Sequence, residues 1–215
     1  DGTLEKNEIA AFCKEYEAAI ERVGGIDLQV LGIGGNGHIG FNESGSLQNS
    51  RTRLVALDHS TRIAASKEFE GLKNTPRTAI TLGVSKIMDA KRVILLAWGE
   101  SKSAIVAKAV EEGMTNLVPA SFLQEHQQVD FILDKEASSN LTRINKPWLV
   151  EEVEWTDKLI SKAVLGLALT LEKPVLMLTD ADYIENGMSD LLAQMGPAYD
   201  INIKIFNKLQ NTITG

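Results

Sequence analysis

Five glycines fall within nine positions, Gly32, Gly34, Gly35, Gly37 and Gly40, directly behind an apolar run, and no other stretch constrains the chain so strongly. The run Leu28 to Ile33 is short and mostly aliphatic, which is the pattern of a buried strand in a parallel sheet. The glycines let the backbone turn through conformations closed to other residues. Set among and just after them are Asn36, His38 and Glu43. A hydrophobic strand that ends in a flexible polar loop is how open α/β sheets present a site at their carboxyl edge. The spacing therefore predicts a site between Asp27 and Glu43.

A chain of 215 residues can bury one sizeable core, with room for an extra subdomain. Its net charge of −7 argues against a nucleic-acid partner, which needs a basic face. A small anionic substrate stays open, because a few lysines can dominate one pocket. The single cysteine, Cys13, excludes an internal disulfide and fits a reducing compartment; in its amphipathic stretch it reads as a buried, inert thiol. No apolar run is long enough to span a bilayer and no signal peptide opens the sequence, so no membrane partner and a cytoplasmic location are expected. The chain starts at Asp1 without methionine and stops at Gly215 without a closing element, so it reads as a fragment.

Helical spacing of Ile9, Phe12, Cys13, Tyr16 and Ile20 predicts a helix over 5–23, ended by Gly24-Gly25. Residues 50–57 alternate as a short strand, and Asp58 or Ser60 caps a helix expected to run through Phe69. Pro76 breaks the chain before a strand over 78–82. A short helix over 84–90 precedes Arg92–Trp98, the clearest second core strand. A helix over 101–112, a helical turn over 121–126 and a strand over 129–133 follow. Strands alternating with helices at this rhythm indicate an α/β layer fold, a Rossmann-like open and mainly parallel sheet with flanking helices. The runs 28–33, 78–82 and 92–98 are expected side by side in one sheet, with His38 at its carboxyl edge. After Lys146-Pro147 the pattern turns helical. The expected organisation is an α/β domain over 1–146 and a mostly helical appendage or connector over 147–215.

Gly32, Gly34 and Gly37 spell G-x-G-x-x-G, and Asp58 stands about where a dinucleotide fold keeps its ribose acid. That fingerprint requires a helix to open at the third glycine. Residues 38–50 carry glycines, serines and asparagines without helical periodicity, so the nicotinamide reading is set aside. His38 and Glu43 suggest different chemistry. An imidazole takes and gives a proton near neutral pH, and a carboxylate that reaches it fixes its tautomer. Asn36 hydrogen-bonds in either direction but carries no charge.

The stretch Gly32-Ile-Gly-Gly-Asn36-Gly-His38-Ile-Gly-Phe-Asn-Glu43 closely resembles the signature of glucosamine-6-phosphate deaminases, also called isomerases. The likeness continues through Ser50-Arg-Thr-Arg53, His59-Ser-Thr-Arg62, Ala79-Ile-Thr-Leu-Gly-Val84 and Gly99-Glu-Ser-Lys102, and covers about residues 1–143. The related 6-phosphogluconolactonases share the glycine–histidine core but follow it differently, so Ile39-Gly-Phe-Asn-Glu43 points to the deaminase branch. The resemblance implies conversion of glucosamine 6-phosphate to fructose 6-phosphate and ammonia, with no metal or organic cofactor. It implies that His38 assists ring opening with Glu43 as its carboxylate partner. It further implies that Lys67 and Lys102 hold the substrate phosphate and that Gly34 and Gly37 belong to the substrate-binding loop.

Asn36 stands where many members carry aspartate, and without that charge His38 is expected to be less basic. Lys67 stands where well-known members carry arginine, so a point charge replaces a bidentate fork. Ser44 replaces a frequent proline. Val55 occupies the lysine position of allosterically regulated members, so that regulatory site is not expected. The family's first strand, its Thr/Ser-Gly phosphate loop and the aspartate that removes the C2 proton have no counterpart in this sequence, and the chain alone is expected to be inactive. Lys146-Pro-Trp-Leu-Val150, Trp155-Thr-Asp157 and Asn186-Gly-Met-Ser189 resemble a longer bacterial form with a fused de-N-acetylase-like domain of the PIG-L type. The alternatives are a sugar-phosphate-binding or regulatory module without catalysis, and a lactonase-like hydrolase. A homo-oligomer stays open.

Overall fold

The computed structural model describes residues 4–214, which divide between Leu141 and Thr142 into two compact units. In the first unit, helix α1 (Lys6–Arg22) leads into β1 (Leu28–Gly32). Then come β2 (Arg53–Ala56), α2 (His59–Ala65), β3 (Thr78–Thr81), α3 (Val84–Met88) and β4 (Arg92–Ala97). Helix α4 (Ser103–Glu111) and β5 (Val129–Leu133) complete the unit. Among the described residues no helix is long and apolar enough to cross a membrane.

Strands β1, β4 and β5 form a parallel sheet with β4 in the centre; the pairing of 28–33 with 92–98 is the expected one, and β5 takes the other edge of β4. Register sets Leu31 beside Leu95 and Phe131, and Gln29 beside Val93 and Val129. With a side-chain period of two, Leu31, Val93, Leu95 and Ala97 all turn to one face. There they pack with Ile39, Ile87, Ile105, Val106 and Leu123 in the unit's core. On the opposite face Leu28, Val30 and Ile132 are about half exposed, and Trp98, just past β4, is more so.

Two expectations about this unit need correction. The run 78–82 does not join the parallel sheet. Residues Thr78–Thr81 pair antiparallel with Arg53–Ala56 in a separate two-stranded ribbon, Arg53 opposite Thr81 and Ala56 opposite Thr78. Both edges of β4 are taken by β1 and β5, whose apolar registers match it. The half-polar Thr-Ala-Ile-Thr run suits a partly exposed ribbon instead. Helix α2 also stops at Ala65, short of Phe69. The Ser66 hydroxyl donates to the Ile63 carbonyl, and Arg62 ties the carbonyls of Leu72, Thr75 and Pro76 into the following turn. Side chain-to-backbone bonds of this sort compete with the helical ladder.

The second unit is helical: α5 (Thr142–Asn145), α6 (Asp157–Thr170), α7 (Asp180–Glu185), α8 (Ser189–Met195) and α9 (Ala198–Thr214). Thr156 caps α6, and Thr179 with Asp182 forms a reciprocal capping box on α7. Gly187, at φ +75°, separates α7 from α8. Its core gathers Trp155, Ile160, Val164, Tyr183, Leu191 and Ile201. The buried Tyr183 hydroxyl donates to Asn202 Oδ1 at 2.7 Å, and Asn202 Nδ2 donates to the Leu178 carbonyl at 2.8 Å.

Candidate active site

Because β1 and β4 are adjacent and parallel, the loops leaving their carboxyl ends emerge at the same sheet edge. The loop after β1 folds back on itself. The Gly34 amide donates to the His38 carbonyl at 2.9 Å, and the Gly37 amide to the Gly34 carbonyl at 3.0 Å. The imidazole of His38 lies against the Gly34 backbone so closely that a Cβ there would sit 2.2 Å from Cε1 and 2.4 Å from Nδ1. Gly37 takes φ +84°, and a Cβ on it would meet Val118 at 2.6 Å. No helix opens after Gly37; the next one begins at His59, so the loop lacks the helix N-terminus that a dinucleotide would need.

Ile39, fully buried, anchors the loop in the core. Asn42, also fully buried, fixes its exit. It donates to the carbonyls of Ile39 and Leu82 and accepts from Arg53 Nη1. The sequence reading missed Asn42; its only signal is a small amide packed between Phe41 and Glu43 in an otherwise flexible stretch.

So held, Glu43 turns back beneath the histidine. Its Oε2 accepts from Asn36 Nδ2 at 2.8 Å and lies 3.2 Å from His38 Nδ1, and its Oε1 accepts from the Asp58 amide at 3.2 Å. Asn36 Oδ1 accepts from the His38 backbone amide at 3.2 Å. The uncharged amide therefore touches the carboxylate and the loop backbone. It reaches the ring only through Glu43. Asp58 caps α2 by accepting from the Ser60 amide, and Thr61 Oγ1 stands 3.4 Å from His38 Nδ1. With Glu43 accepting at Nδ1, the neutral ring carries its proton there and leaves a lone pair on Nε2. Burial holds the His38 pKa below its ordinary value; Glu43 and Asp58 oppose that shift, and Lys102 adds to it. The imidazole is thus neutral at neutral pH.

A cavity of about 880 Å³ opens over this cluster, lined among others by Gly34, Asn36, His38, Thr61, Glu68 and Lys102. Lys102 ends the 3-10 turn after β4, and its Nζ donates to the Ile33 carbonyl at 2.7 Å. Asp134, at the end of β5, braces that turn by accepting from the Gly99 amide. Of the expected residues, Asn36, His38, Gly34 and Lys102 line the cavity, and Glu43 lies directly behind them. Gly37 faces Val118 and Ile105. Lys67 is exposed beyond the end of α2, where its neighbour Glu68 reaches the cavity wall. Among the described residues no group of three or more histidine, cysteine, aspartate or glutamate side chains is placed to hold a metal ion.

Residues 3–132 match the family model of glucosamine-6-phosphate isomerases/6-phosphogluconolactonase. The whole chain is 53% identical to a glucosamine-6-phosphate deaminase-like protein of Bacteroides thetaiotaomicron, of which it spans 32%. Over 137 residues, 64% of the chain, it is 46% identical to the glucosamine-6-phosphate deaminase of Rhodopirellula baltica and spans 55% of that enzyme. Among solved structures, a monomeric glucosamine-6-phosphate deaminase aligns with a TM-score of 0.62 at 40% identity. That alignment covers 65% of this chain and 57% of the other. The chain thus spans about half the length of the deaminases it matches, and a third of the longer protein.

Proposed function

The chain belongs to the glucosamine-6-phosphate isomerase/6-phosphogluconolactonase family, and on that premise we propose that its cavity takes glucosamine 6-phosphate for isomerisation and deamination to fructose 6-phosphate and ammonia. The observation that carries this reading is the joint placement of a carboxylate-backed imidazole and an ammonium in one cavity. Ring opening of a sugar hemiacetal removes the proton of the anomeric hydroxyl, breaks the bond from C1 to the ring oxygen, and delivers a proton to that oxygen. His38 Nε2, unprotonated while Glu43 holds Nδ1–H, can accept the first proton and return it to the ring oxygen. Glu43 orients the ring and stabilises the imidazolium between those transfers. Lys102 offers a compact positive charge for the phosphate. Later removal of the C2 proton and loss of ammonia need a further base, and Asp58 and Glu43 are committed to capping α2 and backing His38.

Ammonia release from glucosamine 6-phosphate by the full-length protein, with and without substitutions in this chain, tests the assignment. His38→Ala is expected to lower turnover by about two to four orders of magnitude. Lys102→Ala is expected to weaken glucosamine 6-phosphate by roughly one to two decades and unphosphorylated glucosamine hardly at all. Equal losses for both sugars would show that Lys102 supports the fold and not the phosphate.

A further inference from the structure

The ammonium of Lys102 and the imidazole of His38 are held against consecutive residues of one strand end. Lys102 Nζ donates to the carbonyl of Ile33, and the ring of His38 rests on the backbone of Gly34. Both line the same cavity, where Lys102 is half-buried and its charge bears on the buried imidazole. The other charged groups facing the imidazole are Glu43 from its own loop and Asp58 from the cap of α2, with Thr61 of α2 as a neutral neighbour and Glu68 on the cavity wall. Lys102 is the cation among these groups. An ammonium has three donors, and the bond to Ile33 uses one, so an anion can dock on it without breaking its anchor.

We propose that the cavity couples anion binding at Lys102 to proton binding at His38, so that docking of a phosphate or sulfate group makes the imidazole a stronger base. The coupling follows from charge. A cation beside an imidazole disfavours the imidazolium, and an anion paired with that cation cancels the disfavour. By linkage the effect is reciprocal: protonation of His38 strengthens anion binding by the same factor. The inference rests on reading the cavity as a sugar-phosphate site, and it adds a consequence for that site. The empty cavity keeps His38 a weak base, and arrival of the phosphate end raises its proton affinity just when a hydroxyl proton must be accepted.

The test follows the His38 ring resonances of the purified protein across a pH titration, with His126 as internal reference. It is run without anion, with sulfate, which does not itself titrate in this range, and with glucosamine 6-phosphate. The expected result is a rise of the His38 pKa by about 0.5–1 unit on saturation with sulfate. Sulfate affinity should weaken as pH rises through that interval. In Lys102→Met the pKa is expected to stand already at the raised value and to stay there when sulfate is added. If sulfate binds in a Lys102-dependent way while the His38 pKa stays fixed, the coupling is wrong and the sugar-phosphate reading survives. If neither sulfate nor glucosamine 6-phosphate binds at the cavity, both are overturned. An unchanged His38 pKa in Lys102→Met without anion refutes the coupling on its own.

Discussion

Gly34→Ala separates the catalytic geometry from the stability of the fold. Gly34 is not among the residues with positive φ, so alanine meets no backbone strain there. The added methyl would lie 2.2 Å from His38 Cε1, 2.4 Å from Nδ1 and 2.5 Å from Nε2. Ordinary carbon contacts start near 3.4 Å, so the ring must retreat by at least 3.4 − 2.2 = 1.2 Å. A side chain can swing away cheaply, and the substitution also trims the freedom of the unfolded chain, so stability should change by less than about 1 kcal/mol. Catalysis is another matter. A retreat of 1.2 Å takes the ring out of the seat from which Nδ1 meets Glu43 at 3.2 Å, the contact that sets the tautomer.

A misplacement of about 1 Å can lower turnover by about a hundredfold, equivalent to about 2.7 kcal/mol of barrier. The assay pairs ammonia release with thermal unfolding and a His38 titration. Displaced from its buried seat, the ring should titrate closer to its ordinary 6.5. A folded variant with turnover within threefold of the parent and an unmoved His38 titration would refute the claim that the imidazole works from the seat over Gly34.

Two further expectations concern stability. Glu17 is buried on α1, where it accepts from the Thr52 amide at 2.6 Å and pairs with Arg51; Glu17→Ala leaves that amide unsatisfied and should cost about 1–3 kcal/mol in urea unfolding. The pH dependence should show two separate windows. His38 has its folded pKa below 6.5, so the unfolded chain binds more protons and stability falls as pH drops from about 6.5 towards the folded value. For Glu17, burial raises the pKa, but the Thr52 amide and Arg51 bring it below 4.5 overall, so its contribution is lost only as pH falls below that point. His38→Gln should flatten the first window and leave the second.

The parts of the fold that rest on continuous apolar runs were legible: β1 and β4 pair as their hydrophobicity requires, and the loop after β1 carries the polar cluster. What the sequence hid was decided by partners distant along the chain. Helix α1 shows an apolar stripe, yet Phe12 and Tyr16 lie exposed against each other while Cys13 and Glu17 face inward. Periodicity alone would not bury a glutamate; Arg51 and the Thr52 amide, 34 and 35 positions on, make it possible. The run at 78–82 was read by composition, which sees a strand but not that β4 has no free edge left for it. In the site, a five-residue spacing suggested that His38 and Glu43 meet. It could not show that Asn42 and Asp58 hold the carboxylate in place, nor that the chain past Ala65 turns Glu68 and not Lys67 to the cavity.

Asn36 shows how one contact changes an expectation drawn from sequence. Read along the chain, its missing charge should weaken His38 directly. In the fold its Nδ2 donates to Glu43 Oε2, so the first group to sense residue 36 is the carboxylate. Asn36→Asp would replace that donor by an oxygen about 2.8 Å from Glu43 Oε2. Two carboxylates so close cannot both stay ionised without cost, and the pair should share a proton up to a pH above the ordinary carboxylate range. While the proton is shared, the charge beneath His38 equals that of the parent and the imidazole should titrate much as before. Once it is lost, the charge doubles and the imidazolium is favoured. The variant should therefore keep activity and gain one coupled titration between about pH 5 and 8, seen in carboxyl carbon resonances and in the acid limb of the rate profile. If no new titration appears and the limb does not move, the bond from Asn36 to Glu43 does not set the charge of the site.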